Sequence, residues 1–447
     1  MRHLSTFIAI LGFNSVRAFT ALTGIRPRPI FPPSSSLTRP YQIGQHEEYA
    51  QGISDQITLE AIQRSVSSLS TQLMESRENT TTPFTRPTTW NRHVGSKALP
   101  LILQPTIQDH DSLQYLQLFL ESNREWVEKM ILDHGAVMFR GFSLGSAQDV
   151  EDALLSFNPN LSNEYHGTSP RNVQGGSKFV FSAAEVPSHY PIAQHIEMSF
   201  LPSPPKQLYF SALKAPNSTG GETALADFRK VYQDLPQKLR QKLATKKLLY
   251  RRTHRKIGEV NTHDVAAMLS WPELFGTNDK EEVEARSHQL SMPVRWEGSN
   301  NDTFVSEFSS EPFQLHPTTG EPVFFNHANV FHWTSFPAEL FAAFRRTKDI
   351  RFLGHALRVG VNSLWKYGIR RQKMALHVSY GDGSPISVWE MHQMRKAIHK
   401  NMVYNRWQQG DLLLIDNFST SHGRQPTYDS GRQVVVAWSD SMSKSMP

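Results

Sequence analysis

No cysteine occurs anywhere in the 447 residues. That absence removes disulfides, thiolate metal sites and cysteine nucleophiles together. Any metal must be held by nitrogen and oxygen, so histidine and carboxylate are the donors to look for. Beyond the N-terminus no apolar run is long enough to span a bilayer, and no internal repeat is visible. The formal charge of +6 is modest for this length. The basic residues form no stripe interleaved with aromatics, so nothing points to a nucleic-acid partner.

The N-terminus lacks charge of one sign. The first 46 residues hold no Asp or Glu but carry Arg2, Arg17, Arg26, Arg28 and Arg39 among many Ser, Thr and Pro. Leu4 to Phe13 is an apolar run too short to span, preceded by Arg2 and followed by Ala18-Phe19, as in a signal peptide. The basic, hydroxyl-rich stretch after it has transit-peptide composition. A signal followed by a transit-like segment resembles bipartite targeting into a plastid, with secretion as the alternative; Asn79-Thr80-Thr81 is a glycosylation sequon only in the secreted case. Residues 1–45 are therefore expected to be a targeting segment and 46–95 a linker with one amphipathic stretch, Thr58 to Met74. One large domain is expected over 96–447.

His195-Ile196-Glu197 reads as one end of a metal site. In an extended strand residues i and i+2 point to one side, so His195 and Glu197 can grip one ion while Ile196 turns into the opposite layer. His422 and Arg432 lie in the segment Trp407 to Trp438, which reads as two strands, Leu412 to Ile415 and Gln433 to Trp438, joined by a polar loop carrying His422. Two histidines and one carboxylate make the facial triad of ferrous oxygenases. Ligand type alone also admits manganese or zinc, and the open positions tilt the choice to iron. Arg432 offers a planar fork suited to a dicarboxylate.

With YHGTSPR at Tyr165, HIEMSF at His195, GGET at Gly220, HVSYGDGSP at His377 and the Asp411 to Arg432 stretch in this order, the chain resembles the taurine dioxygenase family (TauD/TfdA-like, clavaminate synthase-like). The resemblance covers about residues 95 to 440. It implies Fe(II), 2-oxoglutarate and dioxygen as reactants, with His195, Glu197 and His422 as iron ligands. Arg432 would hold the distal carboxylate of 2-oxoglutarate, with Thr223 hydrogen-bonded to it near the metal. Arg171 and Arg424 could meet an anionic substrate or serve in ordinary ion pairs. Sulfonate-binding members tend to carry a second arginine four positions after the co-substrate arginine. Val436 stands there, so taurine is a poor guess. A retained Glu197 excludes the halogenating branch. A non-catalytic binding domain and a non-redox zinc or manganese enzyme are the competing classes.

The expected fold is β-rich α+β, a double-stranded β-helix (jelly roll, cupin-like) core with surrounding and inserted helices. Apolar spacing predicts a helix over Leu113 to Leu132 ended by Gly135, and strands at Ala136 to Phe139, Lys206 to Leu213 and Pro322 to Asn326. Further helices are predicted at Pro337 to Arg346 and Val388 to Val403. His327 and His332 form a rival histidine pair whose i, i+5 spacing suits no common local ligand pair. Core packing or a place at the substrate side or lid fits them better.

Overall fold

Ser112 opens the first described helix by accepting the Tyr115 amide, and α1 (Leu113–Ser122) buries Tyr115, Leu116, Phe119 and Leu120. The predicted helix from Leu113 to Leu132 is two helices. Asn123 leaves helical geometry and turns its side-chain amide back to the Phe119 carbonyl, and α2 (Arg124–His134) starts directly after it. Gly135 ends α2 in the left-handed region at φ 84°, a conformation glycine adopts without steric cost. The structure, a computed structural model, describes residues 98–440 except 106–109, 166, 168–170, 184–185, 257–268, 290–291, 299, 373 and 430. The expected targeting segment and linker lie outside the described residues, as does part of the YHGTSPR motif.

The strands, in chain order, begin with β1 (Leu101–Leu103), β2 (Ala136–Phe139), β3 (Phe181–Ser182), β4 (Ile192–His195), β5 (Gln207–Lys214) and β6 (Thr223–Asp227). An inserted region adds β7 (Leu248–His254), β8 (Val294–Glu297), β9 (Thr303–Ser310), β10 (Gln314–Leu315), β11 (Pro322–Val323) and β12 (Leu376–Tyr380). The chain then returns through β13 (Met402–Asn405), β14 (Leu412–Asp416), β15 (Thr420–Arg424) and β16 (Gln433–Trp438). A six-stranded sheet runs β1-β2-β14-β5-β16-β3 and a four-stranded sheet β13-β6-β15-β4.

Period-two alternation places these sheets. In β14, Leu412 and Leu414 pack toward α1, α2 and α3 (Ala147–Phe157). Leu413 and Ile415 join Phe210, Val434 and Val436 on the other face, where Leu225 of β6 and Val403 of β13 meet them. The two sheets thus share one core. The far face of the four-stranded sheet, with Ala224 and Ala226, packs on the inserted region, whose own sheet runs β12-β7-β9-β8. The result is a β-rich α+β architecture of several sheets with helices outside and inserted.

Several local expectations change. The polar loop expected between two strands contains β15, paired with β6 and β4 in the second sheet. The predicted strand Pro322 to Asn326 extends only over Pro322–Val323. The last long helix stops at Lys400 and Met402 begins β13. Ser387 caps that helix reciprocally with Glu390.

Candidate metal centre and co-substrate pocket

His195 ends β4 and His422 lies directly opposite it in β15, the two being register partners. Gly423 follows, and a Cβ there would fall 2.6 Å from the Ile192 carbonyl, so only glycine lets these strands approach. Glu197 lies in the turn after β4, with Ile196 buried on the other side in the inserted core. Asn417 fixes that turn: its Oδ1 accepts the Glu197 amide at 2.9 Å, and its Nδ2 donates to the carbonyls of Glu197 at 3.1 Å and Pro205 at 2.8 Å. Sequence reading missed this residue. The signal available was its place in the Asp-Asn pair between β14 and β15.

Three donor atoms converge. His195 Nε2 and His422 Nε2 stand 3.4 and 3.5 Å from Glu197 Oε2, and one donor atom from each residue lies within 4.8 Å of the others. Cis ligands each about 2.1 Å from an ion are about 3.0 Å apart, so this set closes on a metal with small side-chain shifts. His195 Nδ1 donates to the Ala193 carbonyl at 2.8 Å, which leaves the Nε2 lone pair free for a metal. Burial drives His422 down to about 4, with the neighbouring His195 adding to the shift, so the ring is neutral at pH 7. Burial alone would raise Glu197. Hydrogen bonding to the two histidines and the charge of Arg171 outweigh it and hold the carboxyl well below its usual range.

The triad opens into a pocket lined also by Thr223, Phe210, Phe336, Arg171, Arg424 and Arg432. Gly220 and Gly221 precede Thr223 with φ of 101° and 75°. A Cβ on Gly221 would press on Arg432 Cδ at 3.0 Å, and one on Gly220 on the Pro426 carbonyl at 2.3 Å. The pair of glycines therefore brings Thr223 and Arg432 together. Arg432 lies one residue before β16, and its Nε donates to the Gly221 carbonyl at 2.7 Å. Among the described residues no hydrogen bond occupies its two terminal nitrogens. Desolvation lowers it to about 10, with Glu222 opposing, so it stays charged.

The other basic candidates differ. Arg424 reaches the pocket wall, but one terminal nitrogen donates to the Pro187 and Tyr190 carbonyls at 2.8 and 2.9 Å, tying down the loop before β4. Arg171 lies over the Tyr165 ring and 3.8 Å from Glu197 Oε2. The rival histidines separate. His332 is capped by Thr334 and the Ile386 carbonyl, whereas His327 lines the pocket with its ring 4.4 Å from that of His195 and donates Nδ1–H to Ile196.

With the donor set and pocket in place, sequence comparison supplies the family. Residues 102–438 match the model of the taurine catabolism dioxygenase TauD, TfdA family. The chain belongs to that family. It is a 2-oxoglutarate-dependent dioxygenase of the TauD/TfdA type, with iron and 2-oxoglutarate as its cofactors. It is 26% identical over 359 residues to the clavaminate synthase-like protein of Arabidopsis thaliana, covering 78% of this chain and 96% of that one. It is 27% identical over 315 residues to the dapdiamide synthesis protein DdaC of Enterobacter agglomerans, covering 70% and 84%. Among solved structures it is similar to PvcB of Pseudomonas aeruginosa, an Fe, alpha-ketoglutarate dependent oxygenase, at a TM-score of 0.41 and 13% identity over 76% of this chain and 86% of that one.

Proposed function

We propose that this dioxygenase oxidises an unactivated C–H bond of a small organic molecule, by hydroxylation, giving succinate and carbon dioxide. His195, Glu197 and His422 would hold the iron, and Arg432 with Thr223 would hold 2-oxoglutarate. The paired sheets are read as the double-stranded β-helix of the family. The observation that carries the co-substrate reading is the open guanidinium fork of Arg432 in the same pocket as the triad. A desolvated, charged fork with unspent donors is a carboxylate site in search of its anion.

When bound, iron would activate dioxygen, the oxidant, with 2-oxoglutarate as the co-substrate that supplies two electrons, one oxygen atom going to the C–H bond and the other to succinate as carbon dioxide leaves. The chain's own residues bind and aim. His195 keeps its metal-facing nitrogen unprotonated through the Ala193 carbonyl, and Asn417 holds the Glu197 backbone. Arg432 and Thr223 fix the co-substrate from the strands opposite. Phe210, Ile192, Val330 and Phe336 give an apolar wall that excludes water and orients the substrate. Arg171 and Arg424 both line the pocket and both are engaged, Arg171 with the Ser182 carbonyl and the Tyr165 hydroxyl and Arg424 with the Pro187 and Tyr190 carbonyls, so either would meet an anionic substrate group by exchanging one of those bonds. Residues 1–45 are read as plastid targeting, with secretion as the alternative.

The experiment is uncoupled turnover: succinate formed from 2-oxoglutarate under air with Fe(II) and ascorbate. The wild-type chain should produce it and His422→Ala should not. Full activity in His422→Ala would move the third ligand elsewhere. No succinate from the iron-loaded wild-type chain, or zinc or manganese as the anaerobically purified metal, would favour one of the competing classes.

A further inference from the structure

Charge is distributed unevenly along the folded chain. Residues 341–371 contain eight lysines and arginines and one acid, Asp349, a net of +7 in a chain whose formal charge is +6. The remainder is close to neutral. This span forms α9 (Ser335–Thr347), α10 (Ile350–Ser363) and a π-helical turn, Leu364–Ile369; α4 to α8 are the short helices Phe228–Asp234, Gln237–Lys246, Trp271–Phe275, Lys280–Gln289 and Ala328–Phe331. The cluster is contiguous in the sequence, where Phe341, Phe344, Phe352, Trp365 and Tyr367 interleave it, and it corrects the expectation of no such stripe.

The same span holds seven of the twelve exposed large hydrophobic side chains among the described residues, so the apolar surface is concentrated as well. In α10 one face, with Phe352, Ala356 and Val359, is buried against Leu340 and Ala343 of α9. Ile350, Leu357, Val361, Leu364 and Trp365 recur at helical spacing on the opposite side, and Leu357 is 62% exposed and Val361 59%. A helix apolar on both faces needs cover on both. Arg358 and Lys366 flank the outer stripe, and Arg370 lies over the Trp365 ring.

We infer that the outer face of α10 and the following turn docks on an anionic membrane surface. Aliphatic side chains beside a tryptophan, rimmed by lysine and arginine, match the interface between acyl chains and acidic headgroups. Arg346 is spent on Glu222, and the cations that remain would set like charge against like across a self-complementary contact with a second copy of this chain. A nucleic acid offers nothing to the aliphatic stripe. α9 also contributes Ser335 and Phe336 to the pocket wall, so membrane docking and substrate access share one helix pair. Docking does not depend on the proposed ligand roles.

The absence of cysteine makes the test clean, because one introduced thiol labels one place. Full-length Val361→Cys carries a polarity-sensitive fluorophore, with Glu121→Cys in α1 as the control position. Vesicles of phosphatidylcholine mixed with phosphatidylglycerol should shift the Val361 probe to the blue, and pure phosphatidylcholine should not. The Glu121 probe should stay unchanged. In the Val361→Cys background, Arg358→Glu with Lys366→Glu should weaken the response about tenfold or more, and Leu357→Glu should abolish it. No shift with anionic vesicles overturns the inference, as does an equal shift at Glu121. A probe already in an apolar environment without vesicles also overturns it. If that signal depends on protein concentration the cover is a second copy, and if it does not the cover is another segment of the chain, with residues 58–74 first in line.

Discussion

Replacing Arg432 by leucine removes the one guanidinium whose terminal nitrogens face the pocket with no partner among the described residues. The Nε bond to the Gly221 carbonyl at 2.7 Å orients the fork, and a Cβ on Gly221 would press on Arg432 Cδ at 3.0 Å. A buried charge-assisted pair of this kind is worth about 2–5 kcal/mol. At about 1.4 kcal/mol per decade, the 2-oxoglutarate dissociation constant should rise from about thirtyfold to a few thousandfold. Arg424 sets the lower end. It is close enough for Arg432 to depress its pKa, so its charge still attracts the dianion when Arg432 is gone. Arg432→Lys keeps the charge but loses both the fork and the Gly221 anchor, and should cost about tenfold or more. Iron affinity should be unchanged in both variants. The assay is anaerobic titration of 2-oxoglutarate into the Fe(II) protein, followed by the metal-to-ligand absorption. An unchanged midpoint in Arg432→Leu would refute the assignment and pass the role to Arg424.

Three further outcomes follow from other parts of the molecule. Asn417→Ala removes the clamps on the Glu197 backbone and should weaken Fe(II) binding about ten- to a hundredfold by chelator competition; unaltered affinity would mean the turn holds itself. Burial drives His254 down to about 3, with the charge of Arg252 adding and the Leu269 carbonyl opposing. Above pH 6.5 this ring contributes no pH dependence, and as pH falls through 6.5 toward 3 the unfolded chain takes up a proton the folded one refuses. That costs about 2 kcal/mol by pH 5, so urea midpoints at pH 8 and pH 5 should converge in His254→Phe, and an unaltered pH slope would refute it. Finally, a reporter fused to residues 1–45 should enter a plastid. Cytosolic retention sinks the targeting proposal, and secretion supports its alternative.

What was legible in the sequence was local. Ala136 to Phe139 reads as a buried strand and is one, because four consecutive apolar residues after a left-handed glycine leave few alternatives. The β7 strand hid itself. Its inward residues are Leu248, Tyr250, Arg252 and His254, and two of the four are polar, so the alternation does not show as hydrophobicity. Arg252 is accommodated over the Phe200 ring and against Met292, contacts no spacing rule reveals. The β15 strand was hidden for the same reason. Thr-Ser-His-Gly-Arg looks like a loop, yet all five residues are buried.

The site was legible as a set of residue types, and its geometry was not, because the geometry depends on pairing between distant segments. An H-x-E tripeptide does not say where a third donor lies. That comes from β15 fitting between β4 and β6, with His422 opposite His195 and Arg424 opposite Thr223. Ser421 donates to Gln194, and Gln194 donates to the Ala224 carbonyl, crossing three strands with one side-chain chain of hydrogen bonds. Strand side chains alternate, so a slip of one residue would turn His422 away from Glu197 and put Ser421 in its place. The buried Ser421–Gln194 pair penalises that slip by leaving both groups unpaired. The polar residues that made β15 unreadable as a strand are therefore the ones that hold the third donor in register.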